Sequence, residues 1–198
     1  MLGDAQERRV QLKLTMNTKR RGGFTLIELM IALVIFGILL LIAGPMYADF
    51  MGNSQIRNGA ENTLTGVRLA QTEAVRGNTQ AQFVLDPSAT GGWQVTRLDD
   101  ESGTFLPVQS YKWTDGASKT SVSTNPGTAT EITFNGLGRL VDNPDASARI
   151  KWIEVTNSHI SSPRILRVVV DPATPTGIKL CDPDAGVAST DPRFCPAT

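Results

Sequence analysis

Residues 19–45 read KRRGGFTLIELMIALVIFGILLLIAGP. Three cations, Lys19, Arg20 and Arg21, precede Gly22 and Gly23, and an apolar run opens at Phe24. Between Phe24 and Gly44, 21 residues carry a single charge, Glu28. As a helix that run rises roughly 32 Å at 1.5 Å per residue, enough to cross a bilayer core of about 30 Å. The cationic flank predicts that the N-terminal end stays on the cytoplasmic side, by the positive-inside rule.

Glu28 is out of place in such a run. A carboxylate inside a spanning helix costs on the order of 2.5–3.5 kcal/mol on insertion scales, less near a helix end, and it calls for a partner. A cut between Gly23 and Phe24 would supply one. The new α-amino group has an ordinary pKa of about 7.7–8 and is mostly cationic near neutral pH. It would lie four residues from Glu28, roughly 6 Å along the axis. Glu28 of one subunit could then pair with the Phe24 amine of its neighbour, and the pair would set the stagger of a helical assembly.

The segment Arg21-Gly22-Gly23-Phe24-Thr25-Leu26-Ile27-Glu28-Leu29 resembles the leader and prepilin peptidase site of type IV pilins and type II secretion pseudopilins. The resemblance implies removal of the leader after Gly23, N-methylation of Phe24, and an assembly role for Glu28 as the fifth mature residue. Pro45 falls where these proteins often kink the helix. The implied partners are a prepilin peptidase/N-methyltransferase, other pilin or pseudopilin subunits, and inner-membrane lipid. A secretory signal fits less well, because its apolar region spans about 7–15 residues and ends at an A-x-A-like site. Here the run is longer, and Leu41-Ile42-Ala43 is a poor substitute for that site.

The chain has 198 residues and formal neutrality, 19 cations against 19 anions. That balance conceals an asymmetry. Residues 1–23 hold six cations and two anions, so the remainder carries 13 cations against 17 anions, about −4. A protein gripping nucleic acid through phosphates would lean the other way. The segment before Phe24 is long for the family, and Met16 would give the short leader MNTKRRGG; Met1–Thr15 is read as an extended leader or an over-called start. The two cysteines, Cys181 and Cys195, are expected to form a disulfide in an oxidising periplasm. A structural metal site needs more ligands than these and the single, distant His159 supply.

After Pro45 a helical pattern continues, with Met46, Phe50, Ile56, Ala60, Leu64, Val67, Ala70 and Ala74 as the stripe expected to pack under a sheet. Gly52-Asn53-Ser54 and Gly59 predict a local weakening and a bend near 52–54. Gly77-Asn78 predicts the stop. From residue 80 the pattern becomes short β-rich runs: 80–85, 93–98, 108–113, 131–134, 139–141, 150–155, 165–170 and 177–180. Asn135-Gly136 predicts a hairpin, and Asp171-Pro172 with Pro175-Thr-Gly177 brackets another turn. Thr114–Thr130, rich in Ser, Thr and Gly, reads as an exposed loop. The expected fold class is α+β: a long N-terminal transmembrane and amphipathic helix packed on an antiparallel β-sheet head, with a C-terminal disulfide loop. The expected divisions are a leader at 1–23, a transmembrane helix at 24–44, the amphipathic half of the helix at 45–78, and a β-rich periplasmic head at 79–198.

The head resembles the GspH/FimT-type minor pseudopilins through Ile132–Arg139, Gly177–Pro183 and Asp191–Cys195. Some FimT-like relatives are thought to bind DNA through Gly-Arg-x-Arg. Here the matching place reads Gly177-Ile178-Lys179-Leu180, leaving Lys179 and Arg193, with Arg164 and Arg167 nearby, as the remaining candidate phosphate contacts. No enzymatic constellation is legible. His159 lies beside Ser158, Ser161 and Ser162 without a glycine-bounded nucleophile turn. Asp99-Asp100-Glu101 and Asp182/Asp184 read as solvated loop charges, and no phosphate loop or cofactor motif is present. The sequence therefore points to a non-enzymatic minor pilin or pseudopilin, with a DNA-binding uptake pilin as the alternative and a membrane-anchored periplasmic enzyme a distant third.

Overall fold

The structure, a computed structural model, describes residues 23–170 and 177–195, apart from the side chains at positions 42 and 45. The expected turn at 171–177 therefore lies, save for Gly177, outside the described residues. The chain divides into two compact units, 1–41 and 42–198.

Helix α1 spans Leu26–Gly77, 52 residues. Thr25 starts it: its Oγ1 accepts the Glu28 N–H at 3.3 Å, and its carbonyl accepts from Leu29 N. This is the N-cap arrangement in which a side-chain oxygen satisfies an N–H that has no partner in the first turn. At the other end Asn78 turns into the left-handed region (φ 47°). Its N–H then reaches the Val75 carbonyl while Thr79 N reaches that of Ala74, the paired bonds of a Schellman stop.

In the second unit α1 buries Ile56, Ala60, Thr63, Val67, Ala70 and Ala74 along one line. Met46 and Phe50, expected on that stripe, are exposed. At 100° per residue Phe50 lies roughly 120° around the helix from the centre of the buried line, so it faces elsewhere. The expected weakening does not interrupt the helix, which is unbroken through 52–59. Its glycines have another cause. A Cβ on Gly59 would meet Val155 and Ala117 at 3.2–3.3 Å, and one on Gly66 would meet the Trp93 ring at 2.8 Å. A Cβ on Gly52 would run into Ile160. Gly52, Gly59 and Gly66, seven residues apart, mark the line of closest approach between the helix and the rest of the head.

Nine strands follow among the described residues. A five-stranded sheet has the order β3(Phe105–Lys112)-β2(Gly92–Leu98)-β1(Ala81–Asp86)-β5(Glu131–Phe134)-β6(Leu140–Val141). A four-stranded sheet has the order β4(Ser121–Asn125)-β7(Trp152–Thr156)-β8(Leu166–Val170)-β9(Ile178–Cys181). All strand pairs are antiparallel. Period-2 alternation sends Phe83, Leu85, Trp93 and Val95 into the core beneath Val67, Ala70 and Ala74. Ile56 and Ala60 pack with Val155 of the second sheet. Glu73, almost buried, fastens α1 to β2 by accepting from Arg97 at 3.2 Å and Arg76 at 2.8 Å.

Two strand expectations need correction. The presumed loop at 114–130 contains β4, paired with β7 through Val122↔Val155. Its sequence, SVSTN, offers one apolar side chain because it is a sheet edge with little to bury. Strand β3 begins at Phe105 rather than at 108, running through Pro107. An edge strand tolerates the missing N–H, and the register shift between Val95 and Thr96 leaves Val108 as the extra residue. The Asn135-Gly136 turn does form, between β5 and β6, with Asn135 Oδ1 accepting from Leu137 N and Arg139 N.

Candidate functional site

Two surfaces carry the chemistry. The first is the helix in the 1–41 unit. Every large apolar side chain from Leu26 to Leu41 is more than half exposed, and Phe24 stands free ahead of them. The helix is long and apolar enough to cross a membrane, by length and composition. So much contiguous apolar surface is unfavourable in water and needs lipid or other helices against it. Glu28 is exposed within this surface, and among the described residues no cation pairs with it. Its position is the third of the helix, with Thr25 as cap, the spacing of a capping box. The spacing Thr25-Leu-Ile-Glu28 is legible in the sequence as a helix start. Gly23 is exposed. Gly22 lies outside the described residues, as does the side chain of Pro45.

The second surface is a groove of about 740 Å³ in the head, lined by Phe50, Asn53, Ser54, Arg57 and Glu61 of α1 on one side. Arg164, Leu166, Leu180, Cys181, Asp182 and Arg193 line the other. The helical members recur at intervals of three and four, one face of α1. The opposite wall is fixed by hydrogen bonds from the loop ahead of β8. Asn53 Oδ1 accepts Arg164 N at 2.7 Å, Asn53 Nδ2 donates to Ser162 O at 3.1 Å, and Asp49 accepts Ser161 N at 2.9 Å.

Cys181 and Cys195 are joined as expected, closing a loop that folds back along β9. Asp182 N donates to Arg193 O at 2.7 Å, and Lys179 Nζ donates to Phe194 O at 2.9 Å. Asp182 is not the solvated loop charge expected from sequence. It is buried, accepts both Nε and Nη2 of Arg164 at 3.2 Å, and also takes the Asp184 N–H. Asp191 is clasped by Arg193 through two bonds of 3.1 and 2.7 Å. The hydrogen bonds from the Arg193 side chain and backbone pull the Asp191 carboxyl down to about 2. Asp99 remains at the surface, held below the ordinary carboxylate range by the Ser102 hydroxyl and N–H.

The candidate phosphate contacts are all engaged. Lys179 holds the Phe194 carbonyl, Arg193 holds Asp191 and Arg164 holds Asp182. Arg167 pairs with Glu154 at 2.7 Å and lies 4.3 Å over the Trp152 ring. Ile178, at an arginine position of the DNA-binding pattern, is buried. His159 is exposed at a turn where Asn157 Oδ1 accepts its backbone N–H.

A long apolar helix entering an antiparallel β head closed by a disulfide defines a protein of the pilin class. The prokaryotic N-terminal methylation motif matches residues 18–44, and the family described as Type II transport protein GspH matches residues 59–177. The chain belongs to that GspH family. It is 35% identical over 94 residues to a type IV major pilin protein PilE1 of Neisseria gonorrhoeae, covering 44% of this chain and 52% of that one. It is 33% identical over 115 residues to a fimbrial protein of Pseudomonas aeruginosa, covering 50% and 73%. The chain spans about half the length of the first of these relatives. A crystal structure of the Pseudomonas aeruginosa type IV minor pilin FimU aligns at a TM-score of 0.44 with 15% identity, covering 71% of this chain and 97% of that one.

Proposed function

We propose that this protein is a minor pilin or pseudopilin, a structural subunit of the tip or priming complex of a type IV pilus or type II secretion pseudopilus. Residues 1–23 are its leader, 24–44 its membrane span, 45–78 the amphipathic half of the helix and 79–198 a head in the periplasm. It enters the inner membrane once, is cut after Gly23, and is methylated on Phe24. The observation that carries this is the exposed apolar surface of 26–41 bearing one carboxylate, Glu28, close behind the Gly23-Phe24 bond. Such a surface stays in lipid before assembly and packs against like helices after it. Glu28 then meets the new Phe24 amine of a neighbouring subunit, and the pair selects the stagger.

Mass spectrometry of protein extracted from the membrane tests this directly. The expected N-terminus is a methylated Phe24, and any other mature start overturns the proposal. The DNA-uptake alternative carries less weight because Lys179, Arg193, Arg164 and Arg167 are all held by partners within the head. Retardation of duplex DNA by the purified protein at low salt would reverse that order.

A further inference from the structure

The two sheets have four edge strands among the described residues, and three of them are closed against further pairing. Strand β3 is interrupted by Pro107, which has no N–H, and by the bulge at Val108, and it ends in Lys112. Strand β6 is only two residues long. Beside β9 runs the returning disulfide loop, where Asp182 bridges Phe194 and donates to the Arg193 carbonyl at 2.7 Å. Prolines, bulges, lysines, short strands and covering loops are the usual means of keeping a sheet edge from joining another chain. The fourth edge, β4, carries none of them. Ser121-Val-Ser-Thr-Asn125 has no charge, no proline and no bulge, and it pairs with β7 residue for residue from Ser121↔Thr156 to Asn125↔Trp152.

The register fixes which main-chain groups stay open. Val170 N donates to Lys151 O at 2.8 Å, so the main chain of Lys151 faces β8. Alternation then turns the main chain of Ile153 and Val155 toward β8, and that of Trp152, Glu154 and Thr156 toward β4. Their partners Ser121, Ser123 and Asn125 use their N–H and C=O groups on β7. Those of Val122 and Thr124 point to the open side, and among the described residues no backbone hydrogen bond from another segment reaches them. The side chain of Val122 packs against both apolar clusters of the head and is still only half-buried. The edge therefore joins two N–H and two C=O groups in want of a partner to an apolar side chain with room beside it.

We infer that β4 is a docking edge, and that it takes an extended segment of a different pilin-like subunit as a further strand of the four-stranded sheet. The inference rests on the assembly reading above and names a contact of the head within it. In such β-augmentation the main chain supplies the attachment and alternate side chains supply the selectivity. The chemistry of the donor follows from the edge. It has no proline opposite Val122 or Thr124, an apolar side chain beside Val122 on the inner face, and polar side chains beside the exposed Ser121 and Ser123. A second copy of this chain is a poor donor. Of its described strands it has only β4 itself to offer, and SVSTN brings one apolar side chain to the pair.

The test uses the full-length chain in its native membranes. Amide hydrogen exchange is compared between chain dispersed in detergent and the assembled fraction. The N–H groups of Val122 and Thr124 are expected to exchange at least about tenfold more slowly once assembled, while that of Ser123, already paired with β7, changes little. Benzoylphenylalanine placed at exposed Ser123 is expected to cross-link to a different polypeptide that itself begins with a methylated phenylalanine. Thr124→Pro removes one edge N–H without touching the β7 ladder and is expected to cut that cross-link about tenfold, because a carbonyl of the donor is left unpaired. Thr124→Val keeps the N–H, loses the same Oγ1 bond to Pro126 O, and is expected to cross-link normally. Unprotected Val122 and Thr124 in the assembled fraction, a cross-link only between copies of this chain or to no protein, or undiminished linking by Thr124→Pro would each overturn the docking. A mature start other than Phe24 on the same samples overturns the assembly reading, whereas a start at Phe24 without protection at β4 overturns the edge alone.

Discussion

Arg164 binds Asp182 through both Nε and Nη2 at 3.2 Å while its own backbone N–H donates to Asn53 Oδ1 at 2.7 Å. One residue thereby connects helix α1, the loop entering β8 and the disulfide loop after β9. The two side chains are unequal, since Asp182 is buried and Arg164 is more than half exposed. Cutting the pair from either side should have different costs.

Arg164→Ala leaves a buried carboxylate without its cation and is expected to destabilise by about 1–3 kcal/mol, less than a fully buried pair would lose because water still reaches the site. Asp182→Asn leaves an exposed guanidinium that water can solvate, while the amide oxygen can still accept Asp184 N. The expected loss is below about 1 kcal/mol. Urea unfolding of the full chain in detergent measures both. Equal losses would mean that the carboxylate does not depend on Arg164.

Gly66 separates helix propensity from packing. Alanine is the better helix former by roughly 0.8–1 kcal/mol. Its Cβ at this position would approach the Trp93 ring to 2.8 Å and Phe83 to 2.9 Å, closer than real contacts allow. Overpacking a filled core costs typically about 1–3 kcal/mol, so Gly66→Ala is expected to be destabilising on balance. At Gly59 the nearest contacts are 3.2–3.3 Å, which a small shift relieves. Gly59→Ala is expected near neutrality. Thermal unfolding of the two variants side by side reads the difference, and a Tm for Gly66→Ala at or above that of Gly59→Ala would refute the close-packed line.

Those glycines show where the sequence is informative and where it is silent. The helix, its stop at Gly77-Asn78, the hairpin at Asn135-Gly136 and the Cys181–Cys195 bond follow from local chemistry and are visible in the letters. Gly52 and Gly59 look like helix weakeners, because Ile160 and Val155, which press on them, lie about a hundred residues away in the chain. β4 is obscure for a related reason: SVSTN on a sheet edge buries little and so needs no alternating apolar pattern. The groove is hidden more completely. Phe50 reads as core by its spacing alone, and Arg164, Asp182 and Arg193 are distant loop charges until the fold brings them beside Arg57. In contrast, the Glu28 surface in the first unit depends on one helix, and its pattern is local.

Acid separates two carboxylates. Asp191 is depressed to about 2 by its bonds to Arg193, so that interaction supports the native state above the ordinary carboxylate pKa of about 3.9. It is lost as pH falls toward 2. The Tm gap between the wild type and Asp191→Asn is therefore expected to be constant from pH 7 to about 4 and to close below that. Glu131 is raised, first by burial and then by Asp145, so it favours the native state when protonated and opposes it as pH rises through its raised pKa. Glu131→Gln is expected to raise the Tm at pH 7, with the gain fading toward pH 4. A constant gain at all pH values would mean that hydrogen bonding to Gln82, rather than charge, governs the site.

Glu28 has two roles to separate. Thr25 Oγ1 accepts its N–H at 3.3 Å, and a carboxylate in the first turn is favoured by the helix dipole by about 0.3–1 kcal/mol. The other role is intermolecular, as counter-charge to a neighbour's Phe24 amine. Thr25→Ala removes the cap alone, Glu28→Gln removes the charge while keeping a side chain suited to the capping position, and Glu28→Ala removes charge and side chain while leaving the backbone N–H that Thr25 caps. If the neighbour's amine is the partner, both Glu28 variants should insert in the membrane normally and enter sheared assemblies at least about tenfold less than the wild type, since a lost buried charge partner costs about 3–5 kcal/mol and tenfold needs only about 1.4. Thr25→Ala should then behave nearly as wild type. Comparing membrane and assembled fractions by immunoblot distinguishes the cases. Normal incorporation of Glu28→Gln would reduce the residue to a helix-start device and remove the charge that sets the stagger.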